Sequence, residues 1–148
     1  AGARFRGRII PYASKATPRV ASALAACAAT LNIAHVTGIT AATPGFYGPS
    51  SRYIEGLRNT VPDIKTQLSR LQVQEQKVVN MDMESSLLFH VAAYLGCAVG
   101  TICPIISKPL ASTAILDYAA SVEHAITVAL DAMCHLHASA RPASFGRQ

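Results

Sequence analysis

The sequence predicts an α/β fold with a mixed, largely parallel sheet. Helical and strand-like hydrophobic patterns alternate along the 148 residues, in the order helix, strand, helix, strand, helix, strand, helix. The composition is 51% hydrophobic and 14% charged, which favours one packed domain over a disordered chain. A short apolar run that begins at Val78-Val79, within the strand-like stretch Lys77–Met81, gives way to helical spacing at Leu87, Leu88, Val91, Ala92 and Leu95, with two acids, Asp82 and Glu84, at the junction.

Residues 1–16 read as basic and irregular, with Ile9-Ile10 the end of a strand. Thr17-Pro18 predicts a helix start, because Thr suits the cap and Pro the first helical position. Val20, Leu24, Cys27 and Leu31 continue that helix, which Asn32 closes. His35 to Ala41 reads as a buried strand, with His35 structural at its start. Thr43 to Tyr53 is a Pro- and Gly-rich loop that nevertheless carries Phe46, Tyr47 and Arg52. An aromatic face there can stack on a planar base, and an Arg can donate to a carbonyl oxygen. The other reading of the loop is a packed connection with Arg52 at the surface.

Pro62 opens a second helix with Ile64, Leu68 and Leu71 on one face, and Gln72–Gln76 reads as a polar turn. The strand Lys77–Met81 and a helix ended by Gly96 follow. Val99–Ile106 reads as a further buried strand, with Pro104 marking an edge, a bulge or its end. Ser107–Thr113 is a loop. A last helix runs from about Asp117 to His137 with Val122, Ile126, Leu130 and Met133 inward, and residues 138–148 read as an irregular tail.

Net charge is +5, with Arg4, Arg6, Arg8, Lys15 and Arg19 near the start. Phe5 and Tyr12 are the only aromatics interleaved there, so the cluster reads as a solvated or partner-facing segment and no nucleic-acid partner is expected. No apolar run is long enough for a bilayer and no apolar core of a secretory leader follows the basic residues, so no membrane partner and a cytoplasmic location are expected. Cys27, Cys97, Cys103 and Cys134 lie far apart in apolar stretches, which predicts buried free thiols. His135 and His137, two apart, do not share a helix face, so no metal is expected of that pair. The chain has no G-x-G-x-x-G, Walker A or G-x-S-x-G segment.

The acid pair admits two readings. In open α/β sheets ligands sit in the crevice beyond the strand ends, and alternate residues of an extended segment face one way. Asp82 and Glu84 would then face one cleft and hold sugar hydroxyls or stabilise a cationic transition state. Alternatively, Asp82 caps the following helix and Glu84 complements its first turn.

Gly38-Ile39-Thr40-Ala41 followed by Phe46-Tyr47 and Arg52-Tyr53, and then Asn80-Met81-Asp82-Met83-Glu84-Ser85, resemble the nucleoside phosphorylase family, most closely its uridine phosphorylase branch. The resemblance spans roughly residues 10–137. It implies a three-layer α/β sandwich, here incomplete, and a pentosyltransferase that converts uridine and phosphate to uracil and ribose 1-phosphate in pyrimidine salvage. Inorganic phosphate is the co-substrate it implies, with no cofactor and no metal. It implies catalytic roles for Glu84 and Arg52. Phe46 stacks on the base, Arg52 serves the uracil carbonyl side, Met83 and Glu84 hold the ribose, and Ile105 and Ile106 line the base pocket. Thr40, Ser50 and Asp82 complete the implied substrate-binding set, Asp82 standing where the family usually has Glu.

The chain departs from the family pattern in three places. Ser50 stands where a Gln usually reads the uracil edge, and a shorter side chain would act through water. Ser107-Lys108-Pro109 stands where an Arg often supports that group; the purine branch would place an Asp there, which the chain lacks. The family's phosphate-binding Gly and Arg residues, and a His lent by a neighbouring subunit, belong to an N-terminal half, so residues 1–148 are expected to be the C-terminal portion of one domain: a fragment, a processed product or one part of a split protein. Expected partners are uridine or a related pyrimidine nucleoside, phosphate, a second copy in a homodimer or higher homo-oligomer, and a separate N-terminal half. The rival expectation is a noncatalytic nucleoside-binding subunit that lacks the phosphate site.

Overall fold

The computed structural model describes residues 2–5, 8–11, 14–47, 54–56, 61, 63–106 and 118–140. The chain begins with a hairpin of β1 (Gly2–Phe5) and β2 (Arg8–Pro11), paired antiparallel. The expectation of an irregular segment apart from a strand end at Ile9-Ile10 is corrected here: Ala3 pairs with Ile10 and Arg4 with Ile9, and the alternation of Arg with other residues over 3–9 is the two-residue period of a strand.

Helix α1 (Pro18–Thr30) starts where Thr17-Pro18 predicts. The Thr17 hydroxyl does not cap it. Instead, Thr17 Oγ1 accepts a hydrogen bond from the Val99 N–H at 2.9 Å, and the Thr17 N–H donates to the Val99 carbonyl at 2.7 Å. Thr17 therefore fastens the start of α1 to the segment 82 residues further on. Asn32, with φ 54°, turns the chain out of the helix, as its tolerance of the left-handed region allows.

Strand β3 (Ile39–Ala42) is shorter than the predicted His35–Ala41 and is half-buried. Helix α2 (Ile64–Arg70) ends before Leu71, which is exposed; Pro62 lies outside the described residues. The predicted polar turn at 72–76 is instead a hairpin: β4 (Gln72–Val73) pairs antiparallel with β5 (Gln76–Asp82) across Gln74-Glu75. Gln74 takes φ 57°, a position where hairpins usually place Gly or Asn, so the turn has no sequence signature. Helix α3 (Ser85–Leu95) ends at Gly96, φ 68°, as predicted. Helix α4 (Ala119–Ala140) closes the described chain.

The sheet runs β3-β5-β4, with β3 parallel and β4 antiparallel to β5. Among the described residues the fold is thus α/β, with a small, incomplete mixed sheet of three strands, a separate pair of strands and four helices. Val99–Ile106 forms no strand: no ladder partner pairs with it among the described residues, and Ile102, Ile105 and Ile106 are exposed where burial is predicted. An extended apolar run becomes a strand only where another strand supplies hydrogen bonds. Gly100 still packs tightly: a Cβ there would lie 2.6 Å from Val20 Cγ1.

The core sits between α1 and α4, where Cys27, Ala28, Val128 and Ala132 are buried and Ala23, Leu24 and Ile33 pack around them. The predicted inward face of α4 is therefore displaced. Ile126, Leu130 and Met133 are exposed, and the small residues turn inward. Alanine lets two helices approach closely, and a helix apolar on most sides gives no unique inward stripe to read. Cys97 and Cys134 are exposed, unlike the predicted buried thiols, while Cys27 is buried and Cys103 half-buried. Among the described residues no helix is long and apolar enough to cross a membrane.

Candidate functional site

The ends of β3 and β5 meet at one edge of the sheet because the two strands run parallel. The register pairs Thr40 with Asn80, Ala41 with Met81 and Ala42 with Asp82. It shifts between Ile39 and Thr40, since Ile39 pairs with Val78, so β5 carries one extra residue, Val79. Such a bulge re-aims side chains locally. Here it brings Asn80 opposite Thr40, and Asn80 Nδ2 donates to Thr40 Oγ1 at 3.5 Å.

Beyond the strand ends the two connections remain tied. The Thr43 N–H donates to the Asp82 carbonyl at 2.8 Å, and Thr43 Oγ1 donates to the Gly45 carbonyl at 3.3 Å. The turn that follows β3 is thus fixed against the end of β5. It presents Phe46 and Tyr47 edge to face, ring centroids 5.2 Å apart and planes at 88°. Phe46 is 47% exposed, so its ring has surface left for a flat partner.

The acids divide between the two readings given above. Asp82 acts on the helix: its Oδ1 accepts from Ser85 Oγ at 2.9 Å and from the Ser85 N–H at 3.4 Å, and Ser85 is buried. This carboxylate satisfies donors at the start of α3, where the helix dipole also favours negative charge. Glu84 instead is exposed, and its Oε2 accepts from the Met83 N–H at 2.9 Å. Strand geometry stops at Asp82, so the alternation expected to align Asp82 with Glu84 ends there; Glu84 already has helical φ and ψ of −114° and −38°. Both carboxylates nevertheless act on one group. Burial pushes the Cys103 thiol above its ordinary value, the Asp82 and Glu84 charges raise it further, and a hydrogen bond with Asn80 opposes the rise.

The segment holding Ile105 and Ile106 therefore runs beside the junction through Cys103. Both isoleucines are 49% exposed. Met83 is likewise exposed. Thr40, Phe46, Asp82, Met83 and Glu84 come to one end of the sheet, whereas Ser50 and Arg52 lie outside the described residues. His35 stays apart, its Nδ1 2.9 Å from the Ile33 carbonyl.

The parts that two residues play in this neighbourhood carry no distinct sequence signal. Asn80 opens the motif Asn80-Met81-Asp82-Met83-Glu84-Ser85, but its role beside Thr40 and Cys103 is not given by that motif. Cys103 becomes part of the site only by packing. The capping geometry also gives a stability expectation. Asp82→Ala should lower unfolding stability by about 1–3 kcal/mol, the usual cost of leaving a buried polar group such as the Ser85 hydroxyl without its partner, whereas Asp82→Asn should retain most of it. Urea denaturation of the three proteins checks this, and equal losses for Ala and Asn would remove the capping role.

The mixed sheet thus places an aromatic turn and a carboxylate-bearing helix start at the ends of its two parallel strands, the region of open α/β sheets where ligands usually bind. Residues 2–137 match the sequence model of the phosphorylase superfamily, and the chain belongs to that superfamily. Membership supports nucleoside phosphorylase-type activity, a pentosyl transfer. Among curated proteins and solved structures nothing matches the chain.

Proposed function

We propose that the protein cleaves uridine with phosphate to give uracil and ribose 1-phosphate, this chain supplying the base and ribose side of the site. The observation that supports it most is the joining of the two strand ends: the Thr43 N–H to Asp82 carbonyl bond holds the Phe46 turn against the Met83-Glu84 junction. On this reading Phe46 stacks on uracil and Arg52 donates to its carbonyl side, while Ser50 and Thr40 complete the polar rim. Met83 packs on the ribose, Glu84 accepts from its hydroxyls, and Ile105 and Ile106 exclude water from the base. Asp82 acts chiefly through the start of α3, positioning Glu84.

The chemistry fits these roles. A phosphate oxygen bonds to the anomeric carbon as the carbon–nitrogen bond breaks, and the bonding pair leaves with uracil. Positive charge grows on the ribose and negative charge on the base. A carboxylate beside the sugar stabilises the first, and hydrogen-bond donors at the carbonyls stabilise the second. Both effects strengthen where water is excluded. Uracil leaves as a stabilised anion, so the scheme requires no general acid of matched pKa. Inorganic phosphate is the co-substrate, no cofactor enters, and the assembly is a homodimer or higher homo-oligomer in the cytoplasm.

The test is uracil release from uridine by the native preparation, with and without phosphate. Release that requires phosphate is the expected result. Release without phosphate means hydrolysis and overturns the proposal. No release, with uridine still bound, would favour the noncatalytic nucleoside-binding reading.

A further inference from the structure

A second cluster of reactive side chains lies away from the strand ends, where α1 meets α4. Asp131 and His135 are four residues apart on α4 and so occupy one face of that helix. His135 Nε2 lies 3.9 Å from Asp131 Oδ2. Cys27 projects from α1 at the same level, within the core formed with Val128 and Ala132. One ligand atom from each of the three residues lies within 4.8 Å of the others. The sequence alone gave no hint of this set, since Cys27 and Asp131 are 104 positions apart.

We propose that Cys27, Asp131 and His135 form a binding site for a divalent cation of the zinc class, which joins α1 to α4. A thiolate, an imidazole and a carboxylate together are the donor set of borderline-soft divalent ions, and hard cations such as magnesium prefer oxygen alone. Tetrahedral zinc with usual bond lengths separates its sulfur, nitrogen and oxygen ligands by about 3.5 Å, so the three atoms must close by about 1 Å. The side chains that would move are free to do so. His135 is 70% exposed and Asp131 39% exposed, whereas Cys27 is fixed by the core. The open side leaves a fourth position for water, as in sites with three protein ligands.

Binding replaces the Cys27 thiol proton, which passes to solvent, and puts the cation between the Cys27 sulfur and the Asp131 carboxylate. The ion would then bridge the two helices that build the core, so its binding stabilises the folded chain by mass action. The site is independent of the uridine reading, because none of its residues lies at the strand ends.

The test uses the full chain after chelator treatment, titrated with Co2+ as a spectroscopic probe and with Zn2+ by calorimetry. The expected result is one ion per chain, a thiolate-to-cobalt charge-transfer band, and a higher melting temperature with Zn2+. His135→Ala should weaken binding by more than the roughly tenfold loss that even an outer-shell change produces. His135 is exposed, so this variant leaves the core intact. Cys27→Ser should abolish the band, and Cys134→Ser, beside His135 but on another helix face, should leave it unchanged. Absence of the band in the unsubstituted protein, or its persistence undiminished in His135→Ala, overturns the proposal.

Discussion

Glu84→Ala is expected to lower uridine phosphorolysis by about 10²-fold, the scale on which single preorganised electrostatic contacts act. Two effects combine in that loss. On the proposed role of Glu84, the ribose hydroxyls would lose a charged acceptor, raising KM, and the growing positive charge on the sugar would lose its stabilising carboxylate, lowering kcat. Glu84→Gln separates them. The amide oxygen can still accept from the Met83 N–H, now bonded to Glu84 Oε2 at 2.9 Å, so the local backbone is preserved while the charge is gone. Gln should therefore retain more substrate affinity than Ala and lose a similar part of kcat. Steady-state kinetics of the assembled protein check both variants. Uridine turnover unchanged in Glu84→Ala would remove Glu84 from the mechanism, and a kcat untouched in Glu84→Gln would restrict it to binding.

Gly38→Ala should destabilise the protein by about 1–3 kcal/mol, the usual cost of overpacking. The added Cβ would lie 2.8 Å from the Lys77 carbonyl oxygen and 2.8 and 2.9 Å from the two Val79 methyls. A methyl group can rotate away, but the backbone oxygen belongs to β5 and moves only with the strand. Gly38 immediately precedes β3, and Val79 is the extra residue of the bulge, so the clash falls where the register is set. The same displacement would pull Thr40 and the Phe46 turn away from Asp82, so a loss of phosphorolysis should accompany the loss of stability. Urea unfolding and activity measured on one preparation test this. An unchanged denaturation midpoint would mean that β3 tolerates a shift of this size.

The local signals in this chain were those that a few neighbouring residues settle. Thr17-Pro18 marked the start of α1 and Gly96 the end of α3, because Pro suits a first helical turn and Gly a left-handed exit from one. The apolar run into Asp82 and the helical spacing after it placed the strand-to-helix junction correctly. The motifs around Phe46 and Met83-Glu84 pointed to the family that residues 2–137 match.

Tertiary structure decided what depends on a distant partner. Val99–Ile106 has strand composition but no pairing strand among the described residues, and it is held by Thr17 and by packing on α1. The bulky stripe of α4 faces outward because Ala28, Val128 and Ala132 allow a closer approach of α1 than Ile126 or Leu130 would. Asp82 and Glu84, equivalent by spacing, part company because extended geometry stops between them: one carboxylate satisfies the helix start and the other turns outward. Cys103 joins the junction, and Cys27 joins Asp131 and His135, only because folding brings together residues that no short spacing relates. Sequence by itself determines the local conformations and the motif chemistry. The orientation of each face and the company each side chain keeps follow from packing, which is a property of pairs of elements and not of any one stretch of chain.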